Sequence, residues 1–246
     1  MLKRLVILVV AFAFFALLSG CKQAGGLIAA APDLYKAGTI TNDELIQMSK
    51  EMRAEGDKEN KVAPAGNKYA ARLNRITGKF KKEDGLDLNF KVYITPDINA
   101  NATADGSVRV YSGLMDMMTD NELIFVIGHE IGHVKDGDSL DKVRMAYASS
   151  GILKGAGAAG LTSSQNSDLL HAVLNGQFSQ KQESDADAYG YNLMKKYKFD
   201  TKAAVGALKK LAELDGGGKA SLTSSHPGSN DRANAIQKMI DADKKK

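Results

Sequence analysis

The sequence predicts an α+β domain, mainly helical, with one small sheet. Three observations predict it. Two capping boxes, Thr41-Asn42-Asp43-Glu44 and Thr119-Asn121-Glu122 with Asp120 between, each open a stretch with apolar residues at helical spacing. Phe90, Val92 and Ile94 alternate with Lys91, Tyr93 and Thr95, which is strand spacing. No repeat of solenoid type is present to suggest another architecture.

The chain has 246 residues, 43% of them hydrophobic and 25% charged, which suits one compact domain plus a short extra segment and argues against general disorder. Residues 1–20 are that segment. Lys3 and Arg4 precede an unbroken apolar run from Leu5 to Leu18, of signal-peptide length and too short for a comfortable span. The run ends in Leu18-Ser19-Gly20-Cys21, which resembles a bacterial lipobox with Cys21 as the lipidated residue. Cys21 is the only cysteine, so no internal disulfide can form. Acyl chains there would anchor the protein to a membrane. Lys22 after the cysteine resembles an outer-membrane sorting signal, on the periplasmic face. The formal charge of +4 includes Lys3 and Arg4. What is left is too small and too evenly spread to suggest a nucleic-acid partner. Residues 21–40 read as lipidated cysteine and Gly/Ala-rich tether, and residues 41–246 as the domain.

Within the domain, a first helix is expected from Thr41 to about Ala54, followed by a polar break. A second begins with Pro64 in its first turn and carries Tyr69, Leu73 and Ile76. The strand ending at Pro96 pairs with a second at Ser107–Tyr111, and Asp97–Gly106 is a loop or irregular edge. The helix opened by Thr119 has Leu123, Val126, Ile127, Ile131 and Val134 on its apolar side. Gly151–Ser167 is a loosely packed helix plus loop or a mobile cover. A long helix then runs from about Asp168 to Tyr197 and another over Thr201–Leu214, stopped by Gly216-Gly217-Gly218. His226-Pro227 introduces the last, to about Ile240, and Lys244-Lys245-Lys246 reads as a solvated tail.

His129-Glu130-Ile131-Gly132-His133 carries the chemistry. On a helix, positions i and i+4 share a face, so two imidazoles can reach one zinc ion while Glu130 faces its open side. Zinc lowers the pKa of bound water to about 7, so a carboxylate suffices as base. With four His in the chain, about 0.002 to 0.003 chance matches to H-E-x-x-H are expected. That small number decides for a metal site over two unrelated helix-face histidines. A catalytic zinc needs a third protein ligand. Glu183 is the candidate, with Asp187 one turn later as the carboxylate that orients metal and imidazole, and Asp185 on another face. His226 could stabilise an oxyanion. It could equally fill the open position of the zinc and keep a resting enzyme latent. His171 has no partner motif and reads as structural or exposed.

These motifs resemble the M48 metallopeptidases, which are gluzincins, and most specifically their small bacterial lipoprotein members, over nearly the whole chain after Cys21. The similarity rests on H-E-x-G-H at His129–His133, E-x-x-x-D at Glu183–Asp187 and H-P-x-x-x-x-R at His226–Arg232. It extends to Asn99-Ala100 and to Val108 through Met115. The resemblance implies a zincin-like fold and one zinc ion held by His129, His133 and Glu183. It implies Glu130 as general base and later proton donor, and Asp187 bonded to a ligand imidazole. His226 would act at the transition state with Arg232 supporting it, and Asn99 and Ala100 would receive the substrate backbone by strand addition. The tetratricopeptide repeats and multiple membrane helices of other branches are not expected here, which implies cleavage in the periplasm. The implied activity is zinc endopeptidase on unfolded or misassembled envelope proteins, with outer-membrane assembly partners. The alternative is a zinc-containing periplasmic chaperone or assembly factor with little proteolysis.

Overall fold

The computed structural model describes residues 40–149, 161–214, 221–226 and 229–245. The leader, Cys21, the tether up to residue 39, residues 151–160 of the expected cover, the Gly216–Gly218 stop and Pro227 lie outside the described residues.

Helix α1 spans Asn42–Glu59, and the Thr41–Glu44 capping box opens it in both directions. It runs past the expected end at Ala54 because Arg53, Gly56 and Asp57 are held by tertiary contacts. Gly56 lies against Leu170 so closely that a Cβ there would come within 2.5 Å of it. Helix α2, Lys68–Thr77, is capped by Asn67, whose side chain accepts from the Tyr69 amide, so Pro64 stands before the helix and not in its first turn.

Strands β1 (Lys82–Glu83) and β2 (Leu86–Asp87) form a small antiparallel hairpin. Its turn has Asp84 at φ 49° and Gly85 at φ 82°. The main sheet holds β3 (Asn89–Tyr93), β4 (Ala100–Ala102) and β5 (Ser107–Tyr111) in the order β3-β5-β4. The two expected strands do pair, and they pair in parallel, Asn89 opposite Ser107 through Tyr93 opposite Tyr111. The loop expectation over Asp97–Gly106 is corrected in its middle. Ala100–Ala102 is a third strand, antiparallel to β5 and at the sheet edge. Three residues of small side chain give too short an alternation to read as a strand; only the partner strand decides the matter.

A short helix α3 (Ser112–Met117) leads to α4, Asp120–Lys135, opened by the Thr119–Glu122 capping box. Every residue of α4 from Glu122 to Val134 is buried. It is the central helix, covered on all sides and not only along the expected apolar stripe. Helix α5 (Asp138–Ser149) follows a turn in which Gly137 takes φ 85°.

The single helix expected over Asp168–Tyr197 is two helices, α6 (Ser163–Asn175) and α7 (Gln180–Lys196). Gly176 closes the first, and Ser179 opens the second through a capping box with Gln182. Thr162 with Gln165 forms another box, so the end of the Gly151–Ser167 stretch is helical. Helices α8 (Lys202–Ala212), α9 (Ser221–Ser225) and α10 (Ser229–Asp243) complete the described chain.

The main core lies where the sheet, α4, α7, α8 and α10 meet, around Phe80, Val108, Val110, Leu123, Ile127, Ile131, Met194 and Leu208. A second cluster joins α1, α5 and α6 through Leu45, Met52, Val143, Tyr147 and Leu169. The contact that positions the site is α4 against α7. A Cβ on Gly132 would lie 2.9 Å from Ala186 Cα, and one on Gly128 would lie 2.9 Å from Gly190 Cα. Side chains at these crossing points are absent, so the two backbones approach closely, and short carboxylate arms from α7 can reach the histidines of α4.

Candidate metal centre

Helix geometry sets His129 and His133 one turn apart on the face of α4 that meets α7. Their Nε2 atoms are 3.1 Å apart. From α7, Glu183 places Oε1 3.3 Å from His133 Nε2 and Oε2 3.7 Å from His129 Nε2. His226, just after α9, places Nδ1 2.8 Å from Glu183 Oε1 and 3.0 Å from His129 Nε2. One donor atom from each of these four residues lies within 4.8 Å of the others, and all four are buried.

The far sides of the rings are fixed too. His129 Nδ1 is 2.9 Å from Asp187 Oδ1, and His133 Nδ1 is 2.8 Å from Asp138 Oδ2. A carboxylate can only accept, so each Nδ1 carries a proton, and in the neutral ring each Nε2 then presents a lone pair inward. Two lone pairs 3.1 Å apart repel unless positive charge lies between them. Arg232, from α10, grips Asp187 with Nε and Nη2, both at 2.7 Å, and also pairs with Glu183. Its Nη1 donates to the His226 carbonyl at 3.4 Å.

Glu130 lies on the cleft side of α4, buried, with Oε1 3.5 Å from His226 Nε2 and no hydrogen-bond partner among the described residues. Burial pushes the Glu183 carboxyl up, but the imidazoles of His133, His226 and His129 outweigh it and hold the group ionised, well below the usual carboxylate range. Asp187 is likewise held down against burial by Arg232 and His129. Burial opposes charge on His133, yet the Asp138 and Glu183 carboxylates raise it. Burial lowers His226 and keeps it neutral. The centre is rich in carboxylates and converging lone pairs, and it fits a divalent cation bound by nitrogen and oxygen.

A cleft opens beside it, lined by Asn99, Ala100, Glu130, Lys142, Phe178 and His226 among others. The structure therefore brings together Glu130, His226, His129, His133, Glu183, Asp187 and Arg232, and Asn99 and Ala100 line the same cleft as Glu130. Asp185 is exposed and pairs with Lys181, and exposed His171 approaches Glu59. Two neighbours of the centre escaped the sequence reading. Asp138 follows His133 by five residues, beyond one helical turn, and reaches it only because the chain bends at Gly137. Phe178 stacks on His133 with ring centroids 3.7 Å apart and planes 6° from parallel. No pattern around Phe178 signals that contact, although Asp138 after Gly137 could have suggested a second carboxylate.

The family model described as peptidase family M48 matches residues 68–240. The chain is 40% identical to the metalloprotease YcaL of Escherichia coli K12 over 236 residues, 92% of this chain and 93% of that protein. It is 36% identical to the metalloprotease LoiP of the same organism over 244 residues, 96% of this chain and 97% of that one. It is also 28% identical to the mitochondrial metalloendopeptidase OMA1 of Schizosaccharomyces pombe over 212 residues, 81% of this chain and 63% of that one.

Proposed function

The chain belongs to peptidase family M48 and is a metalloprotease, and on that premise we propose that it is a zinc endopeptidase acting on unfolded or misassembled proteins of the cell envelope. One observation carries the zinc reading: the Nε2 atoms of His129 and His133 converge with ionised Glu183, while Oε1 of Glu130 at the cleft has no hydrogen-bond partner among the described residues. His129, His133 and Glu183 are the ligands in this reading. Bound zinc supplies Lewis-acid polarisation of the scissile carbonyl and makes water acidic enough to lose a proton at neutral pH.

The chain's own groups do the rest. Glu130 accepts the proton of the attacking water on its carboxylate and later delivers it to the leaving amine. His226, in the tautomer that carries its proton on Nε2, faces the Glu130 side and can donate to the developing oxyanion, and Arg232 steadies it through the His226 carbonyl. Asp187 and Asp138 hold the ligand rings in the tautomer that exposes Nε2. An extended substrate lies along Asn99 and Ala100, at the start of edge strand β4, where it can add as a further strand. Cys21, once lipidated, tethers the enzyme at the periplasmic face of the outer membrane. No helix among the described residues is long and apolar enough to cross a membrane.

Zinc content measured beside casein cleavage tests this, for wild type, Glu130→Gln and His226→Ala. One zinc per chain in wild type and Glu130→Gln, with cleavage by wild type alone, is the expected result. Cleavage at the wild-type rate by Glu130→Gln would remove Glu130 from the mechanism. A second reading has its own support: His226 Nδ1 already lies 3.0 Å from His129 Nε2, inside the donor cluster, where it can act as a latent fourth ligand. A rise in activity in His226→Ala favours that cap, and a fall favours the oxyanion role. A Glu130→Gln protein that still complements in cells would point to the chaperone.

A further inference from the structure

Lys142 projects from α5 into the same cleft as Glu130 and His226. Its Nζ lies 3.2 Å from the centroid of the Phe178 ring. Phe178 is stacked on His133 at 3.7 Å, which leaves no room for an ammonium on that face. The lysine therefore caps the opposite face, one ring away from a ligand imidazole. It is partly buried, and no carboxylate among the described residues lies within 4 Å of it. Other lysines that reach carboxylates show the contrast: Lys91 pairs with Asp57, Lys196 with Glu83 and Lys210 with Glu122. Burial lowers Lys142 to about 8, against the pull of Glu130, Glu183 and Asp138, so it is still largely protonated at neutral pH.

A partly desolvated cation without a contacting counter-ion gains from an incoming carboxylate. The cleft is where a substrate would bring one. A second, narrow pocket lies at His129 and His226 and is walled by Phe125, Leu208, Leu211 and Leu222. The cation at its edge, Arg232, is already committed to Asp187 and Glu183. One flank of the centre thus offers an unclaimed positive charge, and the other offers apolar wall.

We propose that Lys142 is a specificity-determining residue that selects an acidic side chain, Asp or Glu, on one side of the scissile peptide bond. The inference rests on the endopeptidase reading above. Its test uses the purified protein and fluorogenic peptides built around a cleavage site mapped in casein. Peptide pairs differ only by Glu or Gln at one position, scanned over the three residues on each side of the bond. Wild type is expected to prefer Glu in kcat/KM by about tenfold at one position on one side, the size of effect of a partly desolvated ion pair. Lys142→Met should bring that ratio to about one, Lys142→Glu should invert it in favour of a Lys peptide, and Lys142→Arg should keep it.

No Glu preference in wild type would overturn the inference without recourse to any variant. So would a preference that survives in Lys142→Met, which would assign the carboxylate to the metal. An equal fall for Glu and Gln peptides in Lys142→Met, with their ratio kept, would reduce Lys142 to a prop for Phe178. Failure of wild type to cut casein at all would overturn the endopeptidase reading, and this inference with it. Cleavage without acidic preference would overturn this inference alone.

Discussion

At the scale of single residues, the centre is a problem of proton placement. In the proposed centre His129 and His133 can serve as ligands because Asp187 and Asp138 occupy their Nδ1 atoms. Asp138 is itself steadied by Gln182, whose Nε2 donates to Oδ1 at 2.8 Å. Replacing Asp138 by Ala frees the His133 ring to rotate and to change tautomer. Zinc affinity should fall about 10- to 100-fold. Competition with a chromogenic chelator measures it, and wild-type affinity in Asp138→Ala would show that the ring is held by packing on Phe178 alone. The ligand motif on α4 was plain in the sequence because its spacing equals a helical turn. The Asp138 contact was not, because it depends on the bend at Gly137.

At the scale of elements, the centre depends on how close α7 comes to α4. Gly132 and Gly128 set that distance, since Cβ atoms there would meet Ala186 Cα and Gly190 Cα at 2.9 Å. Backbone cannot move aside as a flexible side chain can. Gly132→Ala should therefore cost about 1–3 kcal/mol of stability and lower zinc content, because Glu183 and Asp187 retreat with α7. Gly66→Ala, where a Cβ meets nothing within 4 Å, should be nearly neutral in both measurements. Thermal unfolding and metal analysis of the two variants check this, and a Gly132→Ala protein with full zinc and unchanged melting would refute the close-approach argument. The sequence displayed Gly132 inside the motif but not its partner Ala186, 54 positions later. It also failed to display the break between α6 and α7. Apolar spacing is continuous enough across Asn175–Ser179 to be read as one helix, and the Ser179–Gln182 capping box went unread.

At the scale of the whole molecule, the N-terminal helix is tied to the sheet by ions as well as by oil. Arg109 of β5 is almost wholly buried and grips Asp57 of α1 through Nε at 2.7 Å and Nη2 at 2.9 Å. Lys91 and the Tyr93 hydroxyl of β3 also reach Asp57, each at 2.7 Å. Burial acts to raise the Asp57 carboxyl, but Arg109, Lys91 and Tyr93 overcome it and hold the group well below the usual range. A depressed carboxylate contributes stability that is full above its unfolded pKa of about 3.9 and is lost as pH falls toward the folded value. Acid should therefore loosen this junction below about pH 4. Asp57→Asn should cost about 3 kcal/mol at neutral pH, since it strands the Arg109 charge, and should flatten the acid limb of a stability–pH curve. Denaturant unfolding from pH 3 to 7 measures both. A curve parallel to that of wild type would show that Asp57 does not carry the acid sensitivity.

The sequence by itself determined the class of fold, the capped helix that carries the motif, and His129, Glu130 and His133 as one centre; Glu183, Asp187 and His226 stood beside them as candidates, and Arg232 entered through the family resemblance. It could do so because helix periodicity, capping and the i to i+4 ligand spacing are local, set within one turn of chain. Tertiary structure alone decided the parallel pairing of β3 with β5, the edge strand at Ala100–Ala102, and the contacts of Asp138 and Phe178 with His133. It alone also showed Lys142 in the cleft without a contacting carboxylate among the described residues. Each of these rests on groups brought together from different elements or across a turn, by burial of the core and by two backbones meeting at glycines, and no short-range spacing encodes that.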